Sequence, residues 1–330
     1  MWAGVTAGRT AADLLALAAA WPFDLVVRDT NELGGCLAAE RLGVPHAVVE
    51  VVAPWPGDGA EAPLAAPLAG HRAALGLPPD PALAMLRRYL HLSARPPSFR
   101  LAPPGPTDHA YRAPLFDRAG AGAAPGWAAG PLAPPVVYAT LGTVVNRAVP
   151  GLFAAILAGT RAAAGTLVLT VGPDGDPAAL GPQPAHVHVE RYVPQTDLLP
   201  RCDLVVTHGG SGTLLAALAH GLPAVVIPIA ADQPRNAERV AALGLGRVVG
   251  PEARTAAAIG AAVRAVLGDP AYRARARACQ AELGALPGVE HAVALLERLC
   301  ADRQPILRAP DRPSARPAPP RLPPAPPSGR

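Results

Sequence analysis

Short apolar runs alternate with helical patterns along this chain, and this alternation predicts an α/β protein. Runs rich in Val and Leu that end near Gly, Pro or Asp are typical of strands buried on both faces of a parallel sheet. The predicted strands are Asp24–Arg28, His46–Val52, Val136–Thr140, Thr166–Val171, Val187–Glu190, Leu204–Thr207 and Ala224–Ile229. Because helical patterns lie between them, the strands form αβ units in series.

The remaining segments complete this pattern. Helices are predicted at Ala11–Ala20, Glu32–Leu42, Thr213–His220, Thr255–Leu267, Ala271–Leu283 and Val289–Cys300, with shorter helical segments near His71–Leu75 and Pro81–His91. Residues Ala53–Gly70 are rich in Pro, Gly and Ala, which predicts a loop. Ala113–Pro135 has the composition of a linker. The Pro-rich chain from Arg303 to Arg330 cannot build a core, and we expect a mobile, polyproline-like tail there.

A glycine turn between a strand and a helix is the segment best suited to hold a ligand. The strand Leu204–Thr207 leads into the turn at 208–212, with the sequence HGGSG, and a helix follows. The first N–H groups of a helix have no intrahelical partner, and the helix dipole adds partial positive charge at the same place. The start of this helix is therefore a candidate phosphate site.

Polar side chains flank the glycine turn. His208 stands at the carboxyl end of its strand, where the imidazole can donate to a phosphate oxygen, and Asp232 and Gln233 follow the next strand. Ligands of open α/β sheets bind at the carboxyl ends of the strands. An acid and an amide beside a phosphate site suit a ligand with both phosphates and hydroxyls, such as a nucleotide sugar. The competing interpretations are a structural core histidine for His208 and a helix cap for Asp232.

Several separated motifs resemble the signature of one known family. They are Tyr192-Val193-Pro194-Gln195, His208-Gly209-Gly210 with Thr213, Gly221-Leu222-Pro223, Pro228 and Asp232-Gln233. In this order they resemble the donor-binding signature of nucleotide-sugar-dependent glycosyltransferases of GT-B fold, closest to the bacterial branch that decorates macrolides, aromatic polyketides and similar natural products. The resemblance implies two Rossmann-like domains facing a cleft, with an acceptor domain and linker at 1–125 and a donor domain at 126–302.

The resemblance also assigns roles around the nucleotide. It implies that Tyr192 stacks on uracil or thymine and that the main chain of Val193 pairs with the base edge. Thr143, in a small-residue turn after Val136–Thr140, would approach the nucleotide. A half-buried interface position for Tyr192 and a hydroxyl cap at Thr143 are the competing interpretations.

The resemblance assigns the remaining residues of the signature to binding of the diphosphate and the sugar. Donors to the phosphates would come from His208 and from the glycine turn and helix start, Gly210, Ser211, Gly212 and Thr213. Asp232 and Gln233 would bind the sugar hydroxyls. With the diphosphate held in this way, no metal and no cofactor are expected.

Asp29, at the end of the first predicted strand, matches the acid that orients a catalytic His in the family; a helix cap is the competing interpretation. Family members carry that His near an earlier strand, whereas this chain starts a few residues before its first predicted helix. We therefore expect an incomplete amino-terminal domain without the catalytic His, and a poor catalyst, since loss of a general base removes about 10²–10⁴-fold in rate. The early histidines not expected to replace it are His46, His71, His91 and His109.

Two motifs indicate other chemistry. Asp174-Gly175-Asp176 fits the D-x-D pattern by which GT-A glycosyltransferases hold a divalent metal, but Pro-Asp-Gly is also an ordinary turn, which we favour. Gly210-x-Gly212 followed by Asp232 imitates a dinucleotide fingerprint. Because Leu215 stands where the third Gly or Ala belongs, an NAD(P)-dependent oxidoreductase is only an alternative.

Composition narrows the function classes further. All 29 basic residues are Arg, and the six Arg and two Asp beyond Ala301 account for the whole net charge of +4, so the folded body is near neutral. A nucleic-acid surface is therefore not expected. The four Cys are scattered, which is typical of free thiols in a reducing compartment. With no apolar run near the roughly 20 residues of a membrane span and no signal-peptide pattern, we predict a cytoplasmic protein.

These observations support one functional hypothesis and one alternative from another class. The hypothesis is transfer of a sugar from a dTDP- or UDP-sugar to a hydroxyl of a small hydrophobic natural product, with the leaving diphosphate stabilised by His208 and the glycine turn. Relatives that use uridine donors often have a Glu where Ala216 stands, which favours dTDP-deoxysugars here. The alternative is a non-catalytic nucleotide-sugar-binding or auxiliary protein; a homodimer or an auxiliary partner is left open.

Overall fold

The computed structural model describes residues 2–51, 62–115 and 125–308. Its amino-terminal part is built on a four-stranded parallel sheet whose strands follow one another in chain order. The elements are α1 (Ala7–Ala20), β1 (Val26–Asp29), α2 (Gly34–Leu42), β2 (His46–Glu50), α3 (Ala62–Ala74), β3 (Leu90–Ser93) and β4 (Asp108–Ala110). Leu37 of α2 and Leu68 of α3 are buried in one apolar cluster, which also contains Leu83 and Met85 from the segment before β3.

The carboxyl-terminal part is built on a six-stranded parallel sheet. Its elements are β5 (Val136–Thr140), α4 (Leu152–Thr160), β6 (Thr166–Thr170), β7 (Val187–Glu190), α5 (Gln195–Leu198), β8 (Leu204–Thr207), α6 (Ser211–Ala219), β9 (Ala224–Val226), α7 (Gln233–Ala242), β10 (Gly246–Val248), α8 (Ala256–Gly268), α9 (Pro270–Ala285) and α10 (Val289–Asp302). The order is β10-β9-β8-β5-β6-β7. The chain therefore reverses its direction of travel between β5 and β8, and open α/β sheets bind ligands at such a switch point.

Three predicted strands of the carboxyl-terminal sheet, β5, β7 and β8, have the predicted bounds. The other predicted strands differ by one to three residues at an end. In β5 and β8 every residue is buried, so each strand is an almost unbroken apolar run between polar turns.

Two predictions in the amino-terminal part are wrong. A loop is predicted over Ala53–Gly70, but residues 62–70 belong to α3, because Leu64 and Leu68 give this segment an apolar face that packs on the neighbouring helices. Residues 53–61 lie outside the described ranges. The predicted helical segment Pro81–His91 contains only a short 3₁₀ turn, and β3 begins at Leu90. Leu90 and Leu92 alternate with polar residues, and this period of two fits a strand.

The last helix, α10, packs on the amino-terminal sheet, where Leu295 and Leu299 share a cluster with Leu90 and Leu92. Contacts continue past Arg303, where the tail is predicted to begin: Ile306 is buried in the same cluster, and its N–H donates to Tyr89 O at 2.9 Å. The packed chain therefore continues to residue 308, and the rest of the predicted tail lies outside the described ranges.

The segment predicted as a linker is anchored where it is described. Trp127 stacks on the His188 ring with 3.9 Å between centroids, and its Nε1 donates to Glu190 Oε1 at 2.8 Å. Both partners belong to β7, so the chain that enters the second domain is fixed to the edge of its sheet. Across residues 2–51, 62–115 and 125–308, no helix has the length and apolar character needed to cross a bilayer.

Candidate functional site

The glycine turn after β8 has the strand–turn–helix geometry predicted for a phosphate site. Gly209 has a φ of +88°, and a Cβ placed on it would lie 2.6 Å from Val226 Cγ1, so both backbone conformation and space require glycine. Gly210 is the N-cap of α6 and has no side chain to occupy the helix N–H groups. The backbone donors of Ser211 and Gly212 thus stand at the amino-terminal end of the α6 dipole.

His208 lies in a slot between two glycines at the switch point of the sheet. A Cβ at Gly142, which follows β5, would come within 2.7 Å of His208 Cε1, and a Cβ at Gly210 would come within 2.5 Å of Nε2. The Nδ1 atom lies 3.3 Å from Thr207 Oγ1. Burial lowers the pKa of His208, and the nearby Asp232 carboxylate raises it in opposition. A lowered pKa favours the neutral imidazole at pH 7, which donates one hydrogen bond.

The hydroxyl of Ser211 is already fully engaged by protein groups. It donates to Asp232 Oδ2 at 2.5 Å and accepts from Arg95 Nη2 at 2.7 Å and from Asn236 Nδ2 at 3.2 Å. A hydroxyl has one donor and two acceptor positions, and all three are used. Among the atoms of Ser211, the backbone N–H is therefore the group suited to a phosphate.

Asp232 and Gln233 begin α7 but hold different partners. Asp232 makes no side-chain cap, and its Oδ2 accepts from Ser211 Oγ and, at 3.0 Å, from Asn236 Nδ2. The Oε1 of Gln233 accepts from the N–H groups of Ile229 and Ala230 at 2.8 and 2.9 Å, which fixes the loop after β9. The amide of Gln233 can therefore offer a ligand only its donor end.

The candidates for the nucleotide base and ribose lie along the same edge of the sheet. Tyr192, two residues after β7, is half-buried, whereas Val193 is buried in an apolar cluster with Leu198. Thr143 follows β5 and is exposed. Since the carboxyl ends of parallel strands share one edge, these residues and His208 line a single side of the domain.

The predicted D-x-D motif forms a turn. Asp176 Oδ1 accepts from Ala178 N at 3.1 Å and caps the 3₁₀ helix Pro177–Leu180. This contact is the one expected from the turn interpretation of Pro-Asp-Gly.

Asp29 lies in the amino-terminal sheet and holds the turn that follows β1. Its Oδ1 accepts from the N–H groups of Asn31 and Glu32 at 2.6 and 3.2 Å. The early histidines each have a structural environment: His46 packs edge-on against Tyr89, His71 donates to Gly4 O, His91 donates to Asp108 and His109 donates to Ile306 O. The described contacts of Asp29 are those of a turn cap, and its predicted orienting role stays a prediction.

Sequence reasoning missed Arg95, Glu50 and Asn236. Arg95 is buried after β3, contacts Glu50 at the end of β2, and reaches Ser211 and Asn236 in the other domain. Asn236 had a local signal, because it stands four residues after Asp232 and thus on the same helix face. Arg95 gave no comparable signal, because it stands two residues after a short strand, Leu90–Ser93, that was itself not predicted.

Comparison with known proteins places this chain in a family. The family model described as "Erythromycin biosynthesis protein CIII-like, C-terminal domain" matches residues 156–299. The 4'-demethylrebeccamycin synthase of Lentzea aerocolonigenes is 42% identical over 165 residues, which is 50% of this chain but only 38% of that protein. Tylactone mycaminosyltransferase of Streptomyces fradiae is 32% identical over 315 residues, covering 88% of this chain and 68% of the relative.

A solved structure extends the likeness to both domains. The glycosyltransferase SsfS6 of Streptomyces sp. SF2575, complexed with thymidine diphosphate, superposes with a TM-score of 0.69 at 29% identity over 88% of this chain and 75% of its own. The comparisons confirm the predicted resemblance to natural-product glycosyltransferases. This chain belongs to the natural-product glycosyltransferases of GT-B fold.

Proposed function

We propose that this chain binds a nucleoside-diphosphate sugar at the carboxyl edge of its six-stranded sheet and takes part in transfer of the sugar to a hydroxyl of a small hydrophobic natural product. The observation that carries the proposal is the His208 ring, held between Gly142 and Gly210 beside the open start of α6. This arrangement places a neutral donor and helix N–H groups together at the switch point.

The diphosphate would occupy the start of α6. The backbone N–H groups of Ser211, Gly212 and Thr213 and the imidazole of His208 would donate to its oxygens. As the bond to the anomeric carbon breaks, negative charge grows on the leaving diphosphate, and donors already in place stabilise it without reorganisation. These groups would therefore assist both binding and departure of the leaving group.

The base and the sugar would lie on either side of the diphosphate. Tyr192 would stack on the base and the main chain of Val193 would pair with its edge, with Thr143 close to the nucleotide. Asp232 would accept from a sugar hydroxyl, and Gln233 would donate, because its carbonyl oxygen is already used by the loop after β9.

A thymidine donor is the more specific proposal. Ala216 is buried on α6 and has no carboxylate to accept from a ribose 2′-hydroxyl, and a 2′-deoxyribose makes no such demand. The related SsfS6 is known with thymidine diphosphate. Isothermal titration calorimetry should show tighter binding of dTDP than of UDP, and the reverse order would refute this preference.

Binding without chemistry is the second candidate function. It is favoured by the contacts of Asp29, whose Oδ1 holds a turn, and by the structural partners of the described early histidines. Incubation with a dTDP-sugar separates the two candidates, because a transferase releases dTDP with an acceptor or slowly by hydrolysis. A binding protein returns the donor intact.

His208→Ala tests the site itself. Loss of a hydrogen bond to a charged phosphate should weaken dTDP binding by about 1.5–3 kcal/mol, measured by calorimetry on the full chain. His291→Ala is the matched control, since His291 is exposed on α10. Equal affinities for the parent protein and His208→Ala would contradict the proposed site.

A further inference from the structure

Arg95 connects the two domains at the donor site. It follows β3 in the amino-terminal domain, and only 3% of its surface is exposed. Its Nη2 donates to Ser211 Oγ at 2.7 Å and its Nη1 to Asn236 Oδ1 at 3.1 Å, both in the carboxyl-terminal domain. One planar guanidinium thus reaches the first residue of α6 and the first turn of α7.

The guanidinium is held from its own domain. Its Nε donates to Glu50, whose side chain is also buried, and its Cζ lies 5.7 Å from the centre of the Phe99 ring. A buried carboxylate beside it compensates the charge, and the ring limits its rotation. Because the fork of Arg is rigid, a fixed Nε also fixes the positions of the two Nη donors.

The contacts made by Arg95 continue into the groups proposed to bind the donor. Ser211 and Asn236 both donate to Asp232 Oδ2, at 2.5 and 3.0 Å. Asn236 Nδ2 also donates to Gly209 O, at 2.8 Å, in the glycine turn. The chain of hydrogen bonds therefore runs from Glu50 through Arg95 to both the proposed sugar acid and the proposed phosphate turn.

We propose that Arg95 is a positioning residue through which the amino-terminal domain sets the geometry of the donor site. Its contacts orient Ser211 and Asn236, and these two residues hold the carboxylate of Asp232 in place. This inference rests on the proposed function and adds to it a dependence of donor recognition on the other domain. Since linkage is reciprocal, donor binding must favour the apposition of the two domains by the same factor.

The variants are chosen to separate positioning from folding. Arg95→Lys keeps the charge beside Glu50 but loses the fork that reaches two partners at once. The double variant Glu50→Met with Arg95→Met removes both charges and leaves neither one buried alone. Arg100→Met is the control, because Arg100 lines a cavity of about 30 Å³ together with Glu50 and Arg95, and its Nε has no hydrogen-bond partner within the described ranges.

The measurements are titration calorimetry and amide exchange on the full chain. Arg95→Lys and the double variant should bind dTDP-glucose about 10-fold more weakly than the parent protein does. Their affinity for dTDP alone should fall less, since dTDP does not reach Asp232. Hydrogen–deuterium exchange of the peptide 208–214 should rise in both variants without ligand. Arg100→Met should change neither quantity.

Each outcome decides the inference separately from the proposed function. If the parent protein binds no nucleotide, the proposed function fails, and exchange at 208–214 still tests the positioning role of Arg95. Unchanged exchange in Arg95→Lys and in the double variant would overturn it. If the parent protein binds dTDP-glucose, equal loss of affinity for dTDP and dTDP-glucose would also overturn it, because that pattern indicates general loosening of the fold.

Discussion

The two sheets of this protein are stabilised by different kinds of interior. Clusters rich in Val, Leu and Ile side chains pack on both faces of the six-stranded sheet, and the strands at its centre are buried throughout. The four-stranded sheet and the loops around it contain buried charged or titratable groups, which include Arg28, His46, His91, Arg95 and Asp108. An apolar interior depends on shape and volume, whereas an interior with charges also depends on pairing and protonation.

The difference matters because both sheets contribute to the proposed site. The six-stranded sheet supplies the glycine turn and the helix start, whose positions follow from packing. The four-stranded sheet supplies Arg95, which stays in place through an ion pair with Glu50. Steric changes should therefore affect the first contribution most, and changes of charge or pH the second.

The largest effect is expected from a cavity in the six-stranded sheet. Leu204→Ala removes a fully buried side chain from β8 and should lower the free energy of unfolding by about 2–5 kcal/mol. Urea denaturation measures this loss, which should be similar at pH 5 and pH 8. Val144→Ala is the control, since Val144 is 91% exposed and surface changes usually stay within about 0.5 kcal/mol. A strongly pH-dependent loss for Leu204→Ala would break the comparison.

The next effect concerns acid sensitivity of the amino-terminal sheet. Burial, with added repulsion from Arg28 and Arg88, lowers the pKa of His46 from 6.5 to about 3. Between these two pH values the unfolded chain binds a proton at His46 that the folded chain does not bind. The contribution of His46 to the free energy of unfolding is therefore fully present above pH 6.5 and is lost as the pH falls toward 3. The expected loss is about 2 kcal/mol by pH 5.

His46→Leu should remove that acid-dependent loss. The free energy of unfolding, measured by urea denaturation at pH 7.5 and pH 5, should differ less in His46→Leu than in the parent protein. His291→Leu, at an exposed position of α10, is the control and should leave the difference unchanged. An unaltered pH dependence in His46→Leu would mean that other groups carry the acid sensitivity.

The smallest effect tests whether space alone positions His208. Gly210→Ala places a Cβ 2.5 Å from His208 Nε2, so the ring must move, and dTDP binding should weaken about tenfold through a lengthened hydrogen bond. Gly212→Ala is the matched control in the same turn, because within the described ranges its added Cβ meets no atom within 4 Å other than those of its chain neighbours and its own helix backbone. The imidazole ¹H–¹⁵N resonances of the unliganded protein should shift only in Gly210→Ala. A shift in both variants would contradict the steric explanation.

The strands of the carboxyl-terminal sheet were predictable from sequence because burial on both faces produces unbroken apolar runs. Leu204–Thr207 is such a run, and its bounds are those predicted. The strand Leu90–Ser93 was missed, since four residues that include His91 give too short a pattern to separate from a helix end. Local composition therefore predicted the strands of the carboxyl-terminal sheet, whose surroundings are apolar, better than those of the amino-terminal sheet, whose surroundings include charged groups.

The site was predictable where its chemistry is local. His208 and its two following glycines are adjacent, and a strand–turn–helix pattern is enough to assign them to a phosphate site. The engagement of the Ser211 hydroxyl depends on Arg95, 116 residues away in sequence, and on how two domains meet. Such a contact leaves no periodic or spacing signal, so only the folded chain reveals it.

The return of α10 to the amino-terminal sheet gives the two domains a second covalent connection. The chain crosses once between β4 and β5 and again between α9 and α10, and Ile306 fixes the end of the second crossing. A body attached at two points keeps rotation about the line through those points as its easiest motion, while sliding and twisting are resisted. Any motion that separates Arg95 from Ser211 and Asn236 would then be easiest as a rotation about that line.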